Sequence, residues 1–546
     1  MKKRKSQRSR KSKGVQIATP VINWRYLALF VLVGLSLCIV IMRLHTYNEP
    51  FERDITSHAV IAHELLSGRQ LYSDLWDSKP PAIFVTYAAA DVLVGYGPGA
   101  VYFIGVAAAI ITMLGIYLAA STYGGIAAGL WAAAFWTFIC SDMWLWANQP
   151  NIEVGMNACL VWAFALMVRA NVRKLEVWRW LGVGGLFALA TLYKPVAIVF
   201  AAFLTVFHLV MHLRDREARK LAFLQVCMVA AVGAAVWGAV FAYFAATGRF
   251  AVFYETIIKY SKYYAASRGG NFIKNIQKGF TFKRLFPITK VRPIMKNALV
   301  MLIFTAVGIM FGLWKSSRRR WLLLAGFVLA APFAVALPGR FYLHYYQLWL
   351  GPLAIGAGCA LATVGPQGKP ITKLLRVTAG AIGLVILLIS ILPQYKLSAD
   401  EWSARKISDQ FVTSKKVVTK VDELLENGET LYVWGQNPEF YFWSKRRPPT
   451  GLIWSTDLMD NPLAEKHTAR ALEDLKRELP EIFVVNIAQF KRPPDHPVIA
   501  WVSKQYIRLP SYDPKRYTWL GRPFFLILIH KDGRLAARFK DSGRIL

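Results

Sequence analysis

The chain has 546 residues, 55% of them hydrophobic, and a mean hydropathy of +0.35. That is too apolar for a water-soluble protein and matches a polytopic membrane protein. The formal net charge of +34 does not point to nucleic acid: lysine and arginine cluster in short loops between apolar segments, where they set topology and meet anionic headgroups, and the motifs of nucleic-acid binders are absent.

A basic tail, residues 1–23, precedes the first apolar run, Trp24–Met42. That run is longer than a signal-peptide core and no small-residue cleavage site follows, so it reads as an uncleaved anchor. Further apolar segments lie at 82–97, 100–120, 125–141, 153–168, 180–192, 195–212, 221–246, 296–314, 321–337, 346–364 and 376–394, against the roughly 20 residues a span needs. Segment 82–97 is the ambiguous one: it is short, carries Asp91, and lies between KPP and GYGPG. If it crossed, the basic loops at 170–180, 212–220 and 315–320 would all lie outside. If it rests in the interface as a juxtamembrane helix, those loops and 365–373 are all cytoplasmic, as the positive-inside rule demands. The second choice predicts 11 spans within residues 24–396, a cytoplasmic N-terminus and an extracytoplasmic C-terminus at the plasma (inner) membrane. Trp131, Trp136, Trp144 and Trp146 fit an aromatic belt. Cys38, Cys140, Cys159, Cys227 and Cys359 all fall in apolar segments without metal-ligand or pairing patterns, and read as small buried hydrophobes. No internal repeat is evident, which argues against transporters built from duplicated halves.

Hydropathy drops after Pro393. Residues 397–546 alternate helical and strand patterns: a helix over Phe411–Glu426, a strand over Thr430–Trp434, a helix over Ala464–Leu479, and strands over Glu481–Ile487 and Phe524–Ile529. These predict a small α/β domain. The expected fold is thus a polytopic α-helical membrane domain, with a first external loop at 45–99, followed by an extracytoplasmic α/β domain.

Under this topology every chemically active cluster falls on the outer side. Asp54 sits about a dozen residues past the first span, where a carboxylate can orient a nucleophile or hold a metal; it serves equally as N-cap of a helix over Ile55–Leu66. Glu153 opens a span from the outside, either as a reacting acid or as a dipole-stabilising one. Lys79 in DSKPP and Lys194 in YKPVA precede prolines at membrane boundaries; each can face a polar pocket and bind phosphate, or snorkel to headgroups. Arg340 and His344 lie four residues apart, on one face if helical, and arginine offers phosphate a bidentate fork. His58 and His63 lack metal-ligand spacing. The tyrosine-rich stretch 254–272 suits stacking on sugar rings or an interfacial helix.

The order of these pieces is informative. The first loop reads D-x9-E-LL-x-G-x-x-LYSDLWDSKPP, and NIE at 151–153, YKP at 193–195, GRFYLHYY at 339–346 and VWGQNPEFYFWSKRRPPT at 433–450 follow. The whole resembles the bacterial polyprenyl-phosphate-dependent glycosyltransferases of the GT-C fold, a group that includes the aminoarabinose transferase of lipid A and relatives of the protein O-mannosyltransferases. The resemblance implies a juxtamembrane helix after the Lys-Pro turn. It implies Asp54 as the first-loop catalytic aspartate and Glu153 as the second-loop acid. Lys79, Lys194, Arg340 and His344 become candidates for the donor phosphate, and His58, Tyr72, Asp74, Tyr264 and Tyr345 for acceptor or sugar contacts. Two departures stand out: Ile55 replaces an acid that often follows the aspartate, and His58 replaces a tyrosine. A divalent metal ion held by Asp54 and Glu153 is possible but lacks that second acid.

The expected activity is transfer of a sugar, with inversion, from a polyprenyl-phosphate donor to a lipid, glycan or protein acceptor at the outer face of the membrane. One rival is a multi-spanning transporter or lipid flippase, whose working residues would cluster near midplane. Another is a non-enzymatic receptor using residues 397–546 as a binding module.

Overall fold

Apolar runs that must satisfy their backbone without water form helices, and they do so at every expected span. The computed structural model describes residues 23–171, 174–266, 272–285, 296–314, 318–365, 368–459, 461–487, 495–509, 518–519 and 522–541. The basic tail, and parts of the loops at 170–180, 248–292, 315–320 and 365–373, lie outside them. The first eight helices are α1 (Trp24–Leu44), α2 (Arg53–Leu66), α3 (Ala82–Val94), α4 (Pro98–Ile139), α5 (Ile152–Arg169), α6 (Val177–Tyr193), α7 (Ile198–His212) and α8 (Arg216–Ala246). Apolar helices at Leu299–Leu313, Arg318–Ala336, Leu350–Thr363 and Pro370–Ile391 complete the membrane domain. Among the described residues, seven helical runs are long and apolar enough to cross a bilayer.

The run α4 is a hairpin of two arms, not one helix. Gly124 leaves helical geometry and Gly125 takes φ 70°, a conformation that favours glycine. The arms run back antiparallel, with Trp136 Nε1 donating to the Ala109 carbonyl at 2.9 Å. Leu350–Thr363 packs against this hairpin through small residues: a Cβ at Gly358 would run into the Ala128 carbonyl and Ala132. Such close approach is how helices associate where lipid removes the hydrophobic drive. By contrast α8 turns most of its apolar surface outward, Phe223 and Tyr243 among it, as a lipid-facing helix does. Cys227 is exposed on this helix, whereas Cys140, Cys159 and Cys359 are buried.

Segment 82–97 forms the helix α3, whose 13 residues reach only about 20 Å, short of a ~30 Å hydrocarbon core. It buries Ile83, Phe84 and Tyr87 and turns Val85, Val92 and Leu93 outward, the two-sided profile of a helix lying along the membrane domain.

Among the described residues the C-terminal domain carries six strands, β1 (Leu431–Trp434), β2 (Ile482–Asn486), β3 (Tyr506–Arg508), β4 (Thr518–Trp519), β5 (Arg522–Pro523) and β6 (Phe525–His530). Four form a sheet ordered β1-β2-β6-β3. β1 pairs parallel to β2 with Val433 opposite Val484, and β6 lies antiparallel between β2 and β3. β1 and β2 are buried throughout, which is why they read as continuous apolar runs. The helices Gln410–Asp422 and Ala464–Arg477 match the predicted ones within a few residues.

This domain docks onto the loop that follows α1. The Trp76 amide donates to the Gly451 carbonyl at 3.2 Å, and Arg69 donates to the Pro448 carbonyl at 3.0 Å. Below it, Lys406 and Glu49 form a fully buried ion pair; Glu49 also accepts from Asn148 at 2.6 Å. Trp402, wholly buried beside Met143 and Trp144, closes the same seam.

Candidate active site

Asp54 and Glu153 occupy equivalent places. Each lies in the first turn of its helix, α2 or α5, where the helix dipole favours a negative charge. The two N-terminal caps touch: Asn151, the cap of α5, donates through Nδ2 to Oε1 of Glu52, the cap residue of α2, at 2.9 Å. That bond ties the two acid-bearing turns together. The cap reading of Asp54 is corrected here, because α2 begins one turn position earlier, at Arg53.

A lysine answers each acid. Lys79 is placed by the DSKPP turn: Asp77 accepts from its backbone amide at 3.1 Å and from Nζ at 3.2 Å, a turn that aspartate makes before proline. Lys79 Nζ then lies 3.7 Å from Asp54 Oδ1. Lys194 is placed by Pro195, which ends α6 and forces an extended residue before it (φ −157°, ψ 124°). Its Nζ lies 2.7 Å from Glu153 Oε1 and 3.3 Å above the Tyr345 ring. Glu153 is 1% exposed, whereas Asp54, Lys79 and Lys194 keep 26%, 23% and 19%. The cluster therefore opens to solvent on the Asp54–Lys79 side.

His344 joins the two halves. It is buried in the short helix Leu343–Trp349 against Trp146 and Tyr345, and it feels Glu153, Lys194, Asp54 and Lys79 alike. Burial lowers its pKa, with Glu153 pulling the other way. Burial alone would raise Asp54, but Lys79, His58, His344 and Arg53 outweigh it and hold its carboxyl at about 2. Burial, with Asp54 adding to it, pushes Glu52 up to about 8. Two acids two residues apart are thus driven in opposite directions.

Other predicted residues fall elsewhere. Arg340 and His344 do not share a helical face, because Gly339 and Phe341 take φ 67° and 52° and the helix begins only at Leu343. Arg340 turns instead to Tyr264, with its guanidinium 4.0 Å over the ring and Nη2 donating to the Tyr264 carbonyl at 2.9 Å. Tyr264 in turn acts on Lys79, so this pair borders the cluster. Tyr72 is buried and donates to the Lys79 carbonyl at 2.8 Å, bracing the turn. Asp74 closes a loop by accepting from the Gln70 amide at 2.9 Å. His58 lies one turn beyond Asp54, buried against Phe84 and Tyr87 with neither ring nitrogen bonded, and burial holds its pKa well below the usual value. His63 bonds Asp91 at 2.8 Å. Among the described residues no three or more His, Cys, Asp or Glu side chains are arranged to hold a metal ion. Asp54 and Glu153 face lysines instead, so the residues present do not fit the divalent cation that the sequence allowed.

Several residues of the site carry no simple sequence signal. Glu52 and Asp77 stand two residues before Asp54 and Lys79, and the Asp-x-Lys-Pro turn makes Asp77 recognisable in retrospect. Trp454 and Gln436 come from the C-terminal domain: Trp454 donates to Ser57 at 3.0 Å and lies 5.7 Å from Lys79 Nζ, and Gln436 accepts from Arg53. Gln436 falls within the 433–450 stretch that carries part of the resemblance, but no local pattern marks Trp454, nearly 400 residues from α2 in sequence.

Residues 78–238 match the family described as dolichyl-phosphate-mannose-protein mannosyltransferase. No curated protein matches the chain in sequence. Among solved structures, ArnT from Cupriavidus metallidurans bound to undecaprenyl phosphate superposes with TM-score 0.55 at 14% identity, covering 92% of this chain and 98% of that one. The archaeal oligosaccharyltransferase AglB from Archaeoglobus fulgidus, in complex with an inhibitory peptide and a dolichol-phosphate, gives 0.53 at 14% identity, covering 85% and 70%. At such identities the likeness is one of fold.

Proposed function

Taking the chain as the membrane-embedded glycosyltransferase of the GT-C fold that its family match and architecture support, we propose that it moves a sugar from a polyprenyl-phosphate donor to a hydroxyl of a cell-envelope acceptor. The reaction is placed at the outer face of the plasma membrane, with the N-terminus in the cytoplasm. The observation that carries the reading is the pairing of two helix-N-terminal acids with two lysines around one histidine, partly open to solvent. The lipid phosphates bound by the two proteins of like fold support the donor class.

Lys79 and Lys194 are cations within reach of a departing phosphate, and Arg340 lies one layer out. They stabilise charge as the bond between the anomeric carbon and the phosphate oxygen breaks. Asp54 removes the proton of the acceptor hydroxyl, whose oxygen forms the new bond from the opposite side, so configuration inverts. A carboxyl held near 2 is a weak base by itself. Donor phosphate drawing on Lys79 relaxes that hold and lets the Asp54 pKa rise, so the base becomes competent when the leaving group is in place. Glu153 keeps Lys194 aimed through their 2.7 Å contact.

The test is Asp54→Asn, assayed by mass spectrometry of envelope lipids and glycans and by transfer in isolated membranes. Transfer falls by about 10²-fold or more, while the variant still folds and inserts, with a modest loss of melting temperature because the ionised carboxylate pairs with Lys79, and undecaprenyl phosphate binding holds. Wild-type transfer in that variant would sink the assignment.

A further inference from the structure

Beyond the two acid–lysine pairs, the seam between the C-terminal domain and the first loop holds an unused carboxylate. Asp457 lies in the short helix Ser455–Leu458 and is 8% exposed. Its backbone carbonyl accepts from His467 and Asn461, yet among the described residues no donor hydrogen-bonds its carboxylate. Burial, with Asp77 adding to it, pushes the Asp457 carboxyl well above the usual carboxylate range, and Lys79, which pulls the other way, already gives two hydrogen bonds to Asp77. Its carboxyl oxygens are nonetheless still reached by solvent, so a ligand hydroxyl can take the place of water there.

The walls around it are aromatic. Trp454, three residues before Asp457, is half-buried beside Lys79. Tyr260, half-buried, feels both Asp457 and Asp77 and stacks on Tyr264. Trp76 backs Tyr260 edge-on at 5.0 Å and is anchored by its indole N–H to Thr256. The ion pair of Lys466 with Glu255 at 2.6 Å holds the tyrosine helix against the C-terminal domain. Partly exposed aromatic rings beside a carboxyl with no protein donor among the described residues are complementary to a ring that presents apolar C–H faces and hydroxyl groups.

We propose that this seam is a sugar-ring subsite. Asp457 accepts hydrogen bonds from ring hydroxyls, and Trp454 and Tyr260 flank the ring. The inference rests on the transferase reading and adds to it: the C-terminal domain selects the sugar. The ring belongs either to the donor or to a glycan acceptor, and kinetics separate the two.

The experiment uses the full chain in native-lipid nanodiscs, with Asp457→Asn and Trp454→Phe. The probes are undecaprenyl phosphate, the polyprenyl-phosphate sugar fraction extracted from the source membranes, and an envelope acceptor fraction from the same cells. Asp457→Asn raises KM about tenfold for one fraction and leaves undecaprenyl phosphate binding within twofold. A rise for the donor fraction places the donor ring there, and a rise for the acceptor fraction places the acceptor ring. Trp454→Phe raises the same KM. Unchanged KM values in both variants, with Asp54→Asn still inactive, overturn the subsite and leave the transferase standing. Parallel losses of melting temperature and undecaprenyl phosphate binding mark Asp457 as structural and also overturn it. A wild-type chain that transfers nothing from the sugar fraction removes both readings.

Discussion

The pair Lys194–Glu153 offers the sharpest separation of structure from chemistry. Lys194→Met leaves Glu153 buried, 1% exposed, with its cation gone and its second oxygen already without a bonding partner among the described residues. At 2.7 Å and an effective dielectric of about 20, the gross attraction is about 6 kcal/mol. Desolvation offsets part of it, and removing one partner of a buried pair costs about 3–5 kcal/mol. Lys194 retains 19% exposure, so water enters and the lower end, about 3 kcal/mol, is expected. Glu153→Gln strands the lysine instead, at a smaller cost because Lys194 reaches solvent. The double variant buries neither charge and regains most of the loss, giving a coupling of about 2 kcal/mol. Thermal unfolding in nanodiscs measures all four states, and transfer is assayed on the same samples. The double variant folds but transfers poorly, since the leaving phosphate has lost a cation. Additive single losses, within about 0.5 kcal/mol, would refute the pairing. Full transfer by the double variant would show that the pair only holds the fold.

Two further outcomes test the supports of the site. Glu52, raised to about 8, keeps a proton that the unfolded chain releases near the ordinary glutamate value of about 4.3. Stability therefore falls as pH rises between those values, by at most about 1.4 kcal/mol per pH unit. Glu52→Gln keeps a carbonyl for Asn151 and flattens that slope in pH-dependent melting; an unchanged slope would show that another group titrates. At Gly451 an added Cβ meets the Asp74 carbonyl, backbone against backbone, so no side chain can yield. Gly451→Ala costs about 1–3 kcal/mol and speeds proteolysis between the C-terminal domain and the first loop, where an unaltered digestion rate would contradict the docking.

The parts of this chain legible in its sequence are those governed by local periodicity. Spans, the short helix α3, and strands β1, β2 and β6 each announce themselves within about 20 residues, because one solvent or one sheet face decides every position in turn. The convergence of Asp54, Glu153, Lys79, Lys194 and His344 was readable only through sidedness and the family resemblance, neither of which supplies distances. The positive-inside rule groups residues by membrane face without distances, and it groups Arg340 with the rest just as firmly. Arg340 misled because a four-residue spacing predicts a shared face only inside a helix, and Pro338–Gly339 stands before it as a breaker. The first loop misled differently: Tyr72 and Asp74 belong to its motif, yet Tyr72 braces the turn that presents Lys79 and Asp74 closes the loop before it. A motif residue can thus be required for the site without facing it. What local pattern could not reveal is the C-terminal contribution. Trp454 reaches Ser57 across 397 positions, and Gly451 fits the Asp74 carbonyl only because both backbones are already in place. Such contacts arise from docking two finished surfaces. The side chains at this seam can therefore change while the helices and the two acids stay put, which makes it the natural place for substrate choice to diverge within a shared fold.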